Sequence, residues 1–187
     1  YQENLLQQYK KKNHLISFNT FPEISNILKK YFPDKNHNFK FLDFGGENID
    51  FYLEITNNFK NVDYFVYNKK EVNNNFENLK KKYNLNNLKI LNDFNEIKKY
   101  KYDFVNFGSA IQYVNNYKKV LKEIIDVSKK FILFSGTHFY DTTQNEIMVV
   151  KQVNLLPNKF YCYFFHFEKF LSIFENCQFS IIFKNEN

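Results

Sequence analysis

Every glycine in this chain closes a short apolar run, and there are only four in 187 residues. Gly45 and Gly46 follow FKFLDF (Phe39 to Phe44), Gly108 follows DFVNF (Asp103 to Phe107), and Gly136 comes just after FILF (Phe131 to Phe134). Apolar runs of this length read as buried strands. A glycine at a strand's end supplies a tight turn or lets another group approach the backbone. Ligands of open α/β sheets bind outside the carboxyl ends of the strands. The four glycines therefore point to one edge of one sheet as the place of function.

The rest of the chain repeats the same alternation. VDYFVY (Val62 to Tyr67) and LKIL (Leu88 to Leu91) are further strand-like runs. Amphipathic stretches follow the runs at about 49–59, 71–83, 95–99 and 117–127. Five strand-helix alternations predict a parallel sheet with helices on both faces. Ahead of them, residues 1–35 read as a helical cap over the ligand edge, with Pro22 suited to a first helical turn. Beyond them the rhythm changes. A helix is expected after the polar segment Asp141 to Gln144, then a strand over FYCYFF (Phe160 to Phe165), a helix over FEKFLSIF, and an antiparallel last strand over FSIIF (Phe179 to Phe183). The expectation is an α/β fold of seven strands, mostly parallel, in one domain spanning 1–187 with its core at 36–187.

The composition is that of a folded protein. Hydrophobic residues make up 44% and aromatics 20%, with 24 Phe and 14 Tyr, enough for a core of large rings. The formal charge of +6 comes from lysines at surface-like helix positions. No nucleic-acid-binding signature accompanies them, so a nucleic-acid partner is not expected. The two cysteines lack metal-ligand spacing or a disulfide framework and fit a reducing, cytoplasmic setting. No apolar run approaches the ~18 residues of a spanning helix.

A strand, a glycine turn and a helix N-terminus suit a nucleotide-containing ligand. The GxGxxG spacing of dinucleotide folds is absent, and no GK[ST] follows to make a P-loop. LDFGG (Leu42 to Gly46), SAIQYVNNYKKVLKEI (Ser109 to Ile124) and VVKQ (Val149 to Gln152) resemble the class I S-adenosylmethionine-dependent methyltransferases. More narrowly they resemble methyltransferases found among polysaccharide-biosynthesis genes, with LDFGGGxG, S-x-L-Q-Y and VQ elements in that order. The resemblance implies a Rossmann-like sandwich, S-adenosylmethionine as cofactor, and a small-molecule or carbohydrate acceptor. It implies that Asp43, Gly45 and Gly46 line the methionine part, Asn68 the ribose and Asp93 the adenine amino group, with Ser109 also on the cofactor. Gln112 and Tyr113 would line the cofactor or acceptor pocket and Gln152 the acceptor side, and His138, in SGTHFYD, is the candidate base.

Several of these positions carry a plainer reading as well. Asp93 suits a helix N-cap, Tyr113 ordinary packing, and His138 a structural role. Asp43 lies in a buried run, where a carboxylate needs a partner. The chain also departs from the pattern: Glu47 and Ile49 replace two of the glycines, and Asn68 stands where a carboxylate is common. A methyltransferase fold that binds or scaffolds without catalysis is the alternative expectation.

Overall fold

A computed structural model describes residues 6–7, 22–34, 36–141, 147–153 and 159–182. Strand β1 (Phe39–Phe44) leads into helix α1 (Asp50–Asn58), β2 (Val62–Tyr67), α2 (Lys70–Tyr83), β3 (Leu88–Leu91) and the short α3 (Phe94–Ile97). Then come β4 (Tyr102–Asn106), a 3-10 turn (Ile111–Tyr113), α4 (Tyr117–Val127) and β5 (Ser128–Leu133). These five strands form a parallel sheet in the order β3-β2-β1-β4-β5. β1 sits at the centre and is almost wholly buried, which is why its sequence is an unbroken apolar run apart from Lys40 and Asp43.

The alternation of side chains along β1 sends Phe39 and Phe41 to one face and Leu42 and Phe44 to the other. Each face has its own core. On the first, Phe41 stacks between Tyr64 and Phe104, with ring centroids 5.1 and 5.3 Å away, beneath Leu53 of α1 and Phe76 of α2. On the second, Leu42, Phe65 and Val105 pack under Leu121 and Ile124 of α4. Glycine is scarce, so Asn84 takes the left-handed conformation (φ 58°) that ends α2.

At the amino end of the sheet, Asp103 is 3% exposed and its carboxylate accepts the backbone N–H of Lys40 at 2.9 Å. The β1–β4 pairing begins one residue later, at Phe41 opposite Phe104. A side-chain oxygen thus stands where a ladder carbonyl would be, with Lys129 at 3.6 Å as its cation.

The N-terminal helix Pro22–Tyr31 begins at the expected proline. Ile24 and Leu28 join the first core, and the Phe32 ring just beyond the helix meets Phe39, Phe59 and Phe131. The remainder of the expected cap falls mostly outside the described residues.

The seven-stranded expectation requires correction. The structure has the five-stranded parallel sheet and a separate sheet of three strands, ordered β6 (Phe139–Tyr140), β8 (Lys159–His166), β7 (Met148–Val153). The antiparallel strand is β7, where a helix was expected; its β-branched MVVKQV pairs with β8 along all six residues. FSIIF forms no strand over its described residues 179–182, and Ile181 and Ile182 are more than half exposed. On β8, β7 pairs along residues 159–164 and β6 pairs with Phe165 and His166. The helix over FEKFLSIF is present as Phe167–Leu171 followed by a 3-10 turn.

Phe41→Ala removes the central ring of the first core. It should lower unfolding free energy by about 3–5 kcal/mol in a denaturant titration.

Candidate functional site at the carboxyl edge of the sheet

The glycine turn is built around a buried carboxylate. Asp43, 3% exposed, accepts a hydrogen bond from the Tyr64 hydroxyl at 2.7 Å and another from Asn106 Nδ2 at 2.9 Å. Register explains the meeting: Asp43 lies opposite Asn106 on β4, and the Tyr64 ring, stacked on Phe41, carries its hydroxyl up to the next same-face position. Burial pushes the Asp43 carboxyl up to about 6, and the bonds from Tyr64 and Asn106 partly offset this. Burial, reinforced by the Asp43 charge, likewise pushes the Tyr64 phenol upward.

Gly46 covers this carboxylate; a Cβ there would overlap Asp43 Oδ2. Gly45, at φ +81°, donates its N–H to the Tyr67 carbonyl at 2.7 Å, and a Cβ on it would overlap that of Ala110. The loop after β4 therefore packs directly on the turn after β1. Asn106 continues the chain of contacts, since its Oδ1 accepts the Gly108 N–H at 3.1 Å. Ser109 fills the space over Gly136, where a Cβ would strike its Oγ. Gln112, 1% exposed, donates from Nε2 to the Gly136 carbonyl at 3.1 Å. All four glycines thus meet at one edge, as their positions in the sequence indicate.

Asn68 is committed to that turn. Its Nδ2 donates to the Gly46 carbonyl at 2.8 Å and its Oδ1 accepts the Lys69 N–H at 2.7 Å. Asp93 caps α3: Oδ1 accepts the Asn95 N–H at 2.7 Å, and Glu96 completes a capping box. Its charge also helps, after burial, to raise the Tyr67 phenol at the end of β2, so Asp93 lies beside the same edge.

A second group gathers on the β7–β8 ribbon. The Tyr113 hydroxyl donates to Gln152 Oε1 at 3.0 Å, joining the 3-10 turn to β7. Burial raises the Tyr113 phenol, with smaller contributions from Cys162 and Glu47, which places the replaced glycine position near this pair. The His138 ring stacks on Phe164 with centroids 4.7 Å apart, and its carbonyl accepts the Phe165 N–H. The described contacts of His138 are thus with β8, and none of its described hydrogen bonds runs to the glycine turn.

Three residues at the edge escape a motif-based reading. Asn106 and Tyr64 hold Asp43. Asp50, the first residue of α1, is 6% exposed with Oδ1 unpartnered, and burial raises its carboxyl. Gln112 Oε1 is a second buried acceptor without a partner among the described residues. Asn106 shares the signal that exposes Asp43, a polar residue inside a buried run. Asp50 has no such signal, because an acid at the first turn of a helix is ordinary.

No family model matches the chain, and no curated protein matches it. Solved structures do. The N-terminal domain of EvdMO1 with SAH bound superimposes with a TM-score of 0.58 at 14% identity, over 82% of this chain and 69% of that one. The same domain crystallised in the presence of SAH and D-fucose gives 0.60 at 12% identity, over 93% and 85%. The fold is that of the class I methyltransferases. Within this methyltransferase fold, the glycine turn after β1 and the loops after β4 and β5 make up the carboxyl edge where such sheets take ligands. The described residues include no cluster of three metal-ligating side chains and no helix long and apolar enough to cross a membrane.

The raised Asp43 carboxyl sets a sign for pH dependence. Its folded pKa of about 6 exceeds the ordinary 3.8, so between those values the folded state binds more protons than the unfolded state. Its stabilising contribution is full below pH 3.8 and is lost as pH rises through about 6. The loss amounts to up to about 3 kcal/mol. Asp43→Asn should flatten this part of the stability-versus-pH curve, measured by denaturation at a series of pH values.

Proposed function

We propose that the protein is an S-adenosylmethionine-dependent methyltransferase that O-methylates a sugar or sugar-nucleotide intermediate of surface-polysaccharide synthesis. The observation that carries the reading is the convergence of Gly45, Gly46, Ser109 and Gly136 on one carboxyl edge, with the buried acceptor Gln112 Oε1 left open beside them. An open acceptor, together with Asp50 at the start of α1, suits the donor-rich ammonium end of a methionine moiety. Solved domains of the same fold were crystallised with SAH, one of them in the presence of D-fucose.

The cofactor supplies an electrophilic methyl group on a sulfonium. The chain's own residues hold, align and take up a proton. Asp43 acts beneath the turn: held by Tyr64 and Asn106, it fixes the backbone of Gly45 and Gly46 against which the methionine part rests. Asn68 braces the same turn from β2, and Asp93 and Ser109 flank the nucleoside and methionine ends. On the other side, Tyr113 and Gln152 line the acceptor. The His138 imidazole would take up the proton of the acceptor hydroxyl as that oxygen is methylated. Stacking on Phe164 fixes that ring's plane.

A second reading rests on specific residues. Glu47 and Ile49 occupy glycine positions of the family pattern, and the Asn68 amide is already committed at both ends. In that reading the fold binds or scaffolds without catalysis. Calorimetry with S-adenosylhomocysteine separates the two: saturable binding, lost in Gly46→Val and weakened about tenfold in Gln112→Leu, is expected. No heat at millimolar ligand would overturn the cofactor assignment. For catalysis, His138→Ala should lower turnover far more than cofactor affinity; an unchanged rate with the acceptor would remove His138 from the mechanism.

A further inference from the structure

β7 is an edge strand without the usual protection. It pairs with β8 on one side, and no described strand pairs with the other. Edge strands in monomers are blunted by proline, bulges, several charges or shortness. β7 is six residues long, pairs without a bulge, contains no proline and has a single charged residue, Lys151. Among the described residues, large apolar side chains are exposed on both faces of the ribbon. Met148, Val150 and Phe160 are about two-fifths exposed on one face; Val149 and Val153 on β7 and Tyr161 on β8 are half exposed or more on the other.

We propose that β7 pairs antiparallel with β7 of a second copy, extending the three-stranded sheet across a two-fold axis. A lipid surface would meet the apolar faces but leave the open N–H and C=O groups of the edge unpaired, which an apolar medium does not tolerate. Another β7 satisfies both. A two-fold axis through the sheet places residues of like parity opposite each other, and charge excludes the register centred on Lys151. With the axis at Lys151 two ammonium groups would face each other. With the axis at Val150, that residue meets the partner's Val150, Val149 meets the partner's Lys151, and Gln152 meets the partner's Met148. Each contact then occurs twice, as an isologous interface requires. The pairing brings a side chain of the second copy beside Gln152, the residue hydrogen-bonded to Tyr113 at the candidate site.

Sedimentation equilibrium of the full chain tests this directly, and it does not depend on the chemistry proposed for the site. A mass of twice the chain at micromolar concentration is expected. Val149→Lys sets like charges opposite each other and should raise the dimer dissociation constant about tenfold or more. Val149→Glu should keep or tighten the dimer by pairing with the partner's Lys151, and Val149→Lys combined with Lys151→Glu should restore it. Circular dichroism melts confirm that each variant folds. A monomer at every concentration overturns the proposal, as does a dimer on which Val149→Lys and Val149→Glu act alike. A monomer that co-floats with anionic phosphatidylserine vesicles would overturn it in favour of a membrane-facing ribbon.

Discussion

The structure turns on one buried carboxylate. Asp43 sits at the carboxyl end of the central strand, and two neighbouring strands each send a donor to it. A charge there would be costly if unpaired, because a low-dielectric interior strengthens every electrostatic term, favourable or not. Tyr64 and Asn106 meet that need, and in doing so they set where β2 and β4 end relative to β1. Asn106 then positions Gly108, and the loop it opens packs Ala110 on Gly45 and Ser109 on Gly136. The site is therefore less a pocket added to a sheet than the geometric outcome of satisfying one acid.

Two kinds of interaction share the work around it. Stacked rings such as Phe41, Tyr64 and Phe104 fill the volume under the edge and resist deformation. Directional bonds fix the turn itself, with Asn68 bracing Gly46 from β2. A turn held from below and from the side needs less help from its own sequence. This accounts physically for Glu47 and Ile49 at positions where the family pattern has glycine.

The parallel sheet was legible because its inner strands β1, β2 and β4 are buried on both faces and leave nearly continuous apolar runs. The glycines located the candidate edge because Gly45, Gly46 and Gly136 each meet another group too closely for a side chain, while Gly108 takes a left-handed φ. The C-terminal region was less legible. MVVKQV is short and apolar on both sides, and such a run fits strand or helix equally until a partner is known. FSIIF has strand composition, yet its described residues pair with no strand. Asp93 shows the limit of motif reading in another way. A residue at a helix N-cap and a residue beside a nucleoside edge have the same sequence context, and here the cap is filled while the side chain still lies near Tyr67.

Asp103 gives the central strand pair a property beyond stability. β1 and β4 are joined by a carboxylate at each end: Asp103 reaches from β4 to the Lys40 amide, and Asp43 reaches from β1 to Asn106. The two acids reach across the ladder in opposite senses at the same register offset, so sliding one strand past the other breaks both contacts. A slip by one residue would also send each acid to the wrong face. The paired acids thus specify the strand register in a way that the many similar phenylalanines of the core do not.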